Sequence, residues 1–485
     1  MLMSYEPLFH GSLEVTERKV GSIVLKELSE KGIDNFFARA PKIQEQLSRI
    51  PVEERLAAIE EVGRTWAKRL GEGGFNELKV LLSKSTGYSQ RMIENEFSLV
   101  PSTLNGINIK KNLQSSFGKM ESLQEFVEIS EGEYCRQLPA GPVFIISSGN
   151  SLIPPLIPTT LSLATGNLTM LRPSMANYKG LIEIYRLFQE SGSATLELIS
   201  EALTISYFTH DSPGLRHLLS KSAVGVINFW GGEPARTEVG RVVSQNVHHP
   251  RFIVNGPMTG FAVIDDASAS EQSARDLAKN MVLYDQQLCS SPTMAAFIGS
   301  FERGMEFSRR VGEWLDREGG PFEMKLSDAS AYALNSARRV LQIKGSPVIS
   351  SRDPKNMWTV VLSKDKSALD GLTTSIPEFG LHSRRRFIEI IAVPNAQAAL
   401  ERIATLPTMK SFSGIDRVQT VGLAVSPENK RLLLELLMGS GVYRILPLKD
   451  MFMRSPREPY DGINLAAAFT YMVYHREKEI TLPSS

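Results

Sequence analysis

Short apolar runs of strand length, separated by amphipathic stretches of helix length, restrict the fold of this chain more than any other feature. From Gly141 onward "VFII" (143–146), "LTML" (168–171), "AVGVINFW" (223–230) and "FAVI" (261–264) recur, with stretches such as "NYKGLIEIYRLFQE" (177–190) between them. The rhythm resumes with "MWTVVL" (357–362), "FIEIIAV" (387–393), "VQTVGLAV" (418–425) and "YRILPL" (443–448). A run that is apolar throughout suits a strand buried on both faces, and strands alternating with helices imply βαβ units and parallel sheet. At 485 residues the chain exceeds what one hydrophobic core organises. Two α/β domains dividing near residues 255–265 fit best.

Residues from about 30 to 120 read as helical. In "PVEERLAAIEEVGRTWAKRL", Leu56, Ile59, Val62, Trp66 and Leu70 recur on one face, and Pro51 suits a helix start. That stripe reads as core. Basic and acidic residues number 54 and 53, a net charge of +1. The basic excess that accompanies nucleic-acid or anionic-membrane partners is missing. Arg384-Arg385-Arg386 is the one visible basic run and is too short to change that. Two cysteines cannot build a disulfide framework or a four-ligand zinc site. Seven scattered histidines supply no ligand set either, and the adjacent His248-His249 pair is poorly placed to share one metal. No metal is expected. The N-terminal "MLMSYEPLFHGSLEV" lacks the basic start and apolar stretch of a secretory signal, and no run reaches the roughly 18 apolar residues of a membrane span. A cytoplasmic location is the expectation.

Three segments carry chemistry. In "PAGPVFIISSGNSLIPPLIPTTLSLATGNLTMLRPS" (139–174) a buried strand enters a loop with Gly149 and Asn150, and a second strand ends at Arg172-Pro173-Ser174. Loops at the carboxyl ends of parallel strands are where open α/β sheets bind ligands. Asn150 can present its amide to a ligand or merely stabilise a turn, and Arg172 can grip a ribose or a phosphate. In "VINFWGGEPARTEVGRVV" (226–243) a strand enters Gly231-Gly232 ahead of a helical stretch, where a phosphate can approach the backbone. A glycine pair is a weak signal, and no G-x-G-x-x-G fingerprint is present. In "LYDQQLCSSPT" (283–293) Cys289 follows a helix opened by Ser270 and precedes the strand-like "TMAAFI". A free cysteine is often a small core side chain. The flanks Asp285, Gln286, Gln287, Ser290 and Ser291 are polar, poor company for a buried thiol. Cys135, in "EGEYCRQLP", lacks such surroundings and reads as structural.

Taken together and in this order, these segments resemble the aldehyde dehydrogenase superfamily. "SSGNSLIPP", "TGN" and "RPS" are similar to its P-W-N-F-P loop with the following G-N and K-P-S. "FWGG" is similar to its F-T-G-S turn, and Gln287-Leu288-Cys289 to its G-Q-x-C motif, with Gln286 in the glycine's place. Within the superfamily the chain resembles the acyl-CoA reductase (LuxC) family, through "QQLCSSP", "WGG", "NGPMTGFAVID", "GVYRILP" and "YDGINL". That family's H-D-G stands here as Tyr460-Asp461-Gly462, and its G-P-K as Gly256-Pro257-Met258. The match covers most of residues 50–480. It implies an α/β, aldehyde-dehydrogenase-like fold: two Rossmann-like parallel-sheet domains, a helical N-terminal region and a small oligomerisation element. Residues 1–255 would hold the helical region and an NADP-binding domain, and 256–450 a catalytic domain with the nucleophilic cysteine. Residues 451–485 would return to the cofactor domain or an oligomer interface.

The resemblance also implies a reaction. Oxidising aldehyde dehydrogenases carry E-L-G-G-K, whose glutamate activates water, but the matching stretch here is Val254-Asn255-Gly256-Pro257-Met258. General-base help is worth roughly 10²–10⁴-fold, so an acyl-cysteine without it outlasts one that has it. Reduction is favoured over hydrolysis. The family's K-P-S-E places a glutamate against the adenosine ribose in NAD-preferring members; "RPSMAN" keeps a positive charge at Arg172 and puts Met175 in the acid's place. NADPH is therefore the expected cofactor, with Ser147, Arg172, Ser174, Gly231 and Gly232 at its site. Glu378, in a segment similar to E-x-F-G-P, would lie at the nicotinamide ribose. Cys289 would be the nucleophile and Asn150 the oxyanion donor, acting on an acyl-CoA or an acyl-carrier thioester. An acyltransferase or acyl-protein synthetase partner and a homo-oligomer follow from the same resemblance. The competing readings are an NAD(P)-dependent dehydrogenase that oxidises an aldehyde to the acid, a cofactor-free cysteine acyltransferase or hydrolase using His248, His249 or His382, and a catalytically silent subunit.

Overall fold

Every apolar run singled out above contains or overlaps a β-strand of the computed structural model, which describes residues 3–190, 192–369, 371–376, 379–381 and 384–477. The chain gathers into two units: Met1–Ser85, Asn95–Asn255 and Ser455–Ser485 form the first, Thr86–Glu94 and Gly256–Arg454 the second.

The first unit is built on a five-stranded parallel sheet, in the order Arg251–Asn255, Val226–Trp230, Val143–Ile146, Thr169–Arg172, Leu203–Ile205. Val143–Ile146 and Val226–Trp230 are buried along their whole length, which is why the first reads as continuously apolar and the second as apolar but for Asn228. Leu203–Ile205 has three residues, and the edge strand Arg251–Asn255 is mostly half-exposed; neither leaves a clear apolar run. The predicted helical stretch 177–190 forms Tyr178–Arg186 and a short 3₁₀ turn. The helix Val52–Gly71 begins after Pro51 and buries Leu56, Ile59, Val62 and Trp66, while Leu70 stays half-exposed. Trp66 stacks on Phe75 with ring centroids 4.1 Å apart and donates its indole N–H to the Phe97 carbonyl at 3.0 Å. Two three-stranded sheets with partly exposed strands complete this unit. One comprises Met3–Tyr5, Val15–Val20 and Ile23–Leu28; the other Val127–Ser130, Glu133–Pro139 and Thr470–Arg476. The mixed exposure of these strands hid them from a reading based on apolar runs.

The second unit has a seven-stranded sheet in the order Val348–Ser350, Thr359–Lys364, Phe387–Val393, Pro292–Ile298, Met258–Asp265, Arg417–Ala424, Arg444–Pro447. All neighbours are parallel except the first pair. Phe261 and Val263 pack into one apolar cluster, Ala262 and Ile264 into another. Met294 and Ala296 join the first cluster, and Ala295 and Phe297 the second. Successive side chains of a strand point to opposite faces, so these two clusters are the two covered faces of one sheet. The helix Glu271–Val282 starts at Ser270, whose hydroxyl takes the Ser273 N–H while the Ser273 hydroxyl takes the Ser270 N–H. This reciprocal cap fixes where the helix begins, and so where the chain emerges toward Cys289. Among the described residues, no helix is long and apolar enough to cross a membrane.

Candidate active site

In the first unit the chain runs from Val143–Ile146 outward through Thr169–Arg172 to Leu203–Ile205, then returns to the other side of the first strand with Val226–Trp230. That reversal is the switch point beside which open parallel sheets hold ligands, at the carboxyl ends of the strands. Ser147 to Asn150 and Gly231-Gly232 are the turns that leave the two strands at this point. Ser147 donates its backbone N–H to the Arg172 carbonyl at 3.0 Å, and its hydroxyl is buried without a hydrogen-bond partner among the described residues. A methyl group at Gly149 would stand 3.0 Å from the Ser174 hydroxyl, so glycine lets these two turns close on each other. The Ser148 hydroxyl donates to Asn150 Oδ1 at 3.0 Å.

Glu96 anchors the same turn and was not anticipated. Its buried carboxylate accepts the Ser151 hydroxyl and, at 2.7 Å, the Leu152 N–H. Asn177 donates to the Ser151 carbonyl at 2.8 Å. One of the two glutamates inside "MIENEF" gives no signal in sequence; only its burial singles it out.

Arg172 is more committed than the sequence implied. It is buried, donates Nε and Nη2 to the Phe208 carbonyl at 3.1 and 2.8 Å, and lies 4.8 Å from the centre of the Tyr207 ring. Burial lowers its pKa, with the Tyr207 phenol opposing. At least part of its work is to tie its strand to the segment after Leu203–Ile205.

A buried chain of polar groups crosses the carboxyl ends of the neighbouring strands. Trp230 donates to Asn228 Oδ1 at 2.5 Å, Asn228 to Asn255 Oδ1 at 2.9 Å, and Asn255 to Asp461 Oδ2 at 2.9 Å. Tyr460 sets its ring edge against Trp230 with centroids 4.6 Å apart. The stretch Tyr460-Asp461-Gly462 therefore closes over the strand that delivers Gly231. Asp461 and Gly462 both have positive φ, at 53° and 75°. Asn255, in the stretch where oxidising enzymes keep a base, spends its amide inside this network.

In the second unit Cys289 sits in the turn ahead of Pro292–Ile298, at the amino end of the parallel strands. It is half-buried, whereas Cys135 is buried in its strand. The polar neighbours of Cys289 are not solvated. Asp285 and Gln286 are each about 4% exposed, and they hold the turn together. Tyr284, Asp285 and Gln286 have φ of 52°, 49° and 65°, a left-handed run that costs roughly 1–2 kcal/mol per non-glycine residue. Gln286 thus occupies a glycine-like conformation at the position where the resembling motif has glycine. Its amide pins it there, donating to the Pro292 and Phe387 carbonyls at 2.6 and 2.9 Å and accepting the Phe387 N–H at 2.6 Å. Asp285 takes Nε and Nη2 of Arg386 at 3.0 and 2.7 Å. Gln287 donates to the Arg384 carbonyl at 2.9 Å.

The run Arg384-Arg385-Arg386 is accordingly an internal scaffold as much as a basic patch, since Arg384 and Arg386 are both buried. Burial brings Arg384 down to about 10, with Glu389 opposing, and its guanidinium rests 4.5 Å from the Phe412 ring centre. The sulfur of Cys289 accepts an amide N–H from Gln419 at 3.1 Å. Gln419 is buried in Arg417–Ala424. A polar residue inside the apolar run "VQTVGLAV" was the one signal that could have marked it. Glu378 and His382 lie outside the described residues, and His248 and His249 are exposed.

Two parallel-sheet units, one with glycine turns at a switch point and one presenting a half-buried cysteine on a pinned turn, define an aldehyde-dehydrogenase-like protein. The structure aligns with aldehyde dehydrogenase 21 from Physcomitrella patens over 98% of this chain and 99% of that one, with a TM-score of 0.71 and 12% identity, a likeness of fold. The chain belongs to the acyl-CoA reductase (LuxC) family, whose sequence model matches residues 47–471. It is similar to a long-chain acyl-protein thioester reductase of Vibrio harveyi, 28% identical over 170 residues, or 34% of each chain. It is also similar to long-chain acyl-protein thioester reductase 2 of Photobacterium leiognathi, 21% identical over 240 residues, or 49% of this chain and 48% of the other. The chain thus spans between a third and a half of the length of these curated relatives.

Proposed function

We propose that this protein reduces an acyl thioester to an aldehyde through an acyl-cysteine on Cys289, with NADPH as reductant. The observation that carries the reading is the Cys289 turn. It is a half-buried sulfur on a backbone locked by buried side chains, with an amide N–H 3.1 Å away. The sulfur, as thiolate, attacks the acyl carbonyl, and the carrier thiol departs. Asn150, whose Oδ1 takes the Ser148 hydroxyl, is the proposed amide donor to the carbonyl oxygen. The acyl-cysteine persists because the Val254–Met258 stretch offers no side-chain carboxylate as base and Asn255 is tied into a hydrogen-bonded network.

A nicotinamide dinucleotide, when bound, supplies the hydride. Residues at the first unit's switch point fit such a group. The Ser147 hydroxyl is buried and has no hydrogen-bond partner among the described residues, and a side chain at Gly149 would meet Ser174 and one at Gly231 would meet Phe229. Cys289 is finally released as thiolate when the aldehyde carbonyl forms. A long-chain acyl group carried on a protein, as the relatives' names describe, is a proposed substrate alongside acyl-CoA.

Incubation with acyl-CoAs of graded length and NADPH should yield aldehydes, trapped as hydrazones. Cys289→Ala should abolish both aldehyde and acid-stable acyl labelling. Acid release with NADP⁺ and aldehyde, but no reduction of any thioester, would overturn the proposal.

A further inference from the structure

We infer that Gln419 is the hydrogen-bond donor that stabilises the Cys289 thiolate, and that Thr420 and Arg444 orient it for that purpose. This rests on the reading of Cys289 as the nucleophile. A glutamine amide can donate or accept, and which end meets the sulfur depends on its other partners.

The structure places the donor end at the sulfur and the acceptor end at Thr420. Arg444 is buried, and its Nη1 donates to the Thr420 hydroxyl oxygen at 3.1 Å. A guanidinium cannot accept, so the Thr420 hydroxyl is the acceptor in that bond and keeps its own proton for another partner. Thr420 Oγ1 lies 3.1 Å from Gln419 Oε1 and donates to it. With Oε1 engaged as acceptor, Nε2 is the end that stands 3.1 Å from Cys289 Sγ.

Arg444 is fixed in turn by the carbonyls of Met451, at 3.1 Å, and Met453, at 2.5 Å. The relay runs Arg444, Thr420, Gln419, Cys289, from the edge strand Arg444–Pro447 through its neighbour Arg417–Ala424 to the nucleophile's turn. The Arg444 charge polarises each hydroxyl and amide dipole toward the next, so the N–H at the sulfur meets negative charge with its positive end. A thiol is a poor acceptor and a thiolate a good one, so the bond strengthens as the sulfur ionises. The amide is also neutral: it favours the thiolate without placing a carboxylate beside it. The arrangement gives Arg444, part of the "GVYRILP" stretch, a positioning role.

The test is the pH profile of Cys289 alkylation by iodoacetamide in the full chain, followed by mass spectrometry of the peptide that contains it. Gln419→Leu keeps bulk and removes the donor. Its profile should move to higher pH, with about tenfold or more slower alkylation below the midpoint, since hydrogen bonds to charged groups contribute roughly 1.5–3 kcal/mol. Gln419→Glu keeps shape and adds like charge, and should move the profile further in the same direction. Thr420→Val leaves the donor but frees its orientation, and should give a smaller shift of the same sign. A Gln419→Glu or Thr420→Val profile superimposed on the wild type overturns the inference even if Gln419→Leu fails to fold. Alkylation requires neither an acyl substrate nor a nicotinamide. Shifted profiles in a protein that makes no aldehyde would therefore sink the reductase reading and leave the role of Gln419 standing.

Discussion

At the residue scale, Cys289 and Asn150 gain most from their surroundings. Polar flanks mark Cys289 in the sequence, and the structure shows what those flanks do. Asp285 and Gln286 are buried and spend their polar groups on the backbone and on Arg386. The polar residues around the cysteine mark a hydrogen-bonded scaffold. Asn150 is the sharper case. If it is the oxyanion donor, Asn150→Ala should lower kcat by about 10²–10³-fold while dinucleotide affinity changes little. Steady-state rates alongside a dinucleotide titration separate the two quantities, and loss of affinity at unchanged kcat would return Asn150 to the turn-stabilising role. Arg172 shows the reverse drift. Its two bonds to the Phe208 carbonyl make its truncation a test of folding as well as of cofactor binding.

At the scale of elements, the left-handed run Tyr284–Gln286 is held against its own backbone preference by buried partners. Burial raises Asp285 above the ordinary aspartate value, with Arg386 opposing it; Nη2 of Arg386 stands 2.7 Å from the carboxylate. Asp285→Ala leaves the Arg386 guanidinium buried without its counter-charge, a change that costs about 3–5 kcal/mol. Urea unfolding followed at Trp314 and Trp358 of the second unit should report that loss, and a destabilisation under about 1 kcal/mol would show the pair to be dispensable. A milder junction lies at Asp265, at the end of Met258–Asp265. Burial alone would raise its pKa, but hydrogen bonds from Asn429, Ser426 and Ser268 outweigh it, and the value lies below the ordinary one. A depressed carboxylate stabilises the fold fully above the unfolded aspartate value of roughly 4. That stabilisation is lost as pH falls through the folded value. Asp265→Asn should therefore destabilise at neutral pH and show a shallower loss of stability on acidification; parallel acid limbs for mutant and wild type would contradict this.

At the scale of the whole molecule the open choice is the dinucleotide. Met175 is half-buried in the turn after Thr169–Arg172, where the resembling pattern has a glutamate in NAD-preferring members. Restoring that acid is a cleaner test than removing Arg172, which has structural work to do. Met175→Glu should reduce the ratio of kcat/KM for NADPH over NADH by about tenfold or more, because a carboxylate repels a 2′-phosphate. An unchanged ratio, or a wild type that prefers NADH, would refute the assignment. Two units with separate sheets also make a single two-state unfolding step a poor description. Mutant stabilities are best read with probes confined to one unit, as with the tryptophans above.

What the sequence determined is what local pattern can carry. Strands buried on both faces are mostly apolar, so "VFII", "VINFW" and "FIEIIAV" announced themselves even with Asn228 and Glu389 among them. The order of strand, turn and helix then located the switch-point turns and the turn of Cys289. Half-exposed strands such as Val15–Val20 and Val127–Ser130 gave no such pattern. The polar framework was equally silent. Glu96 on the Ser151 turn, Arg386 on Asp285, Asp461 on Asn255 and Gln419 on Cys289 pair residues 55, 101, 206 and 130 positions apart. A buried polar side chain is recognisable only by the partner that satisfies it, and that partner is chosen by the packing of distant strands. The tertiary structure alone decided which glutamine faces the sulfur.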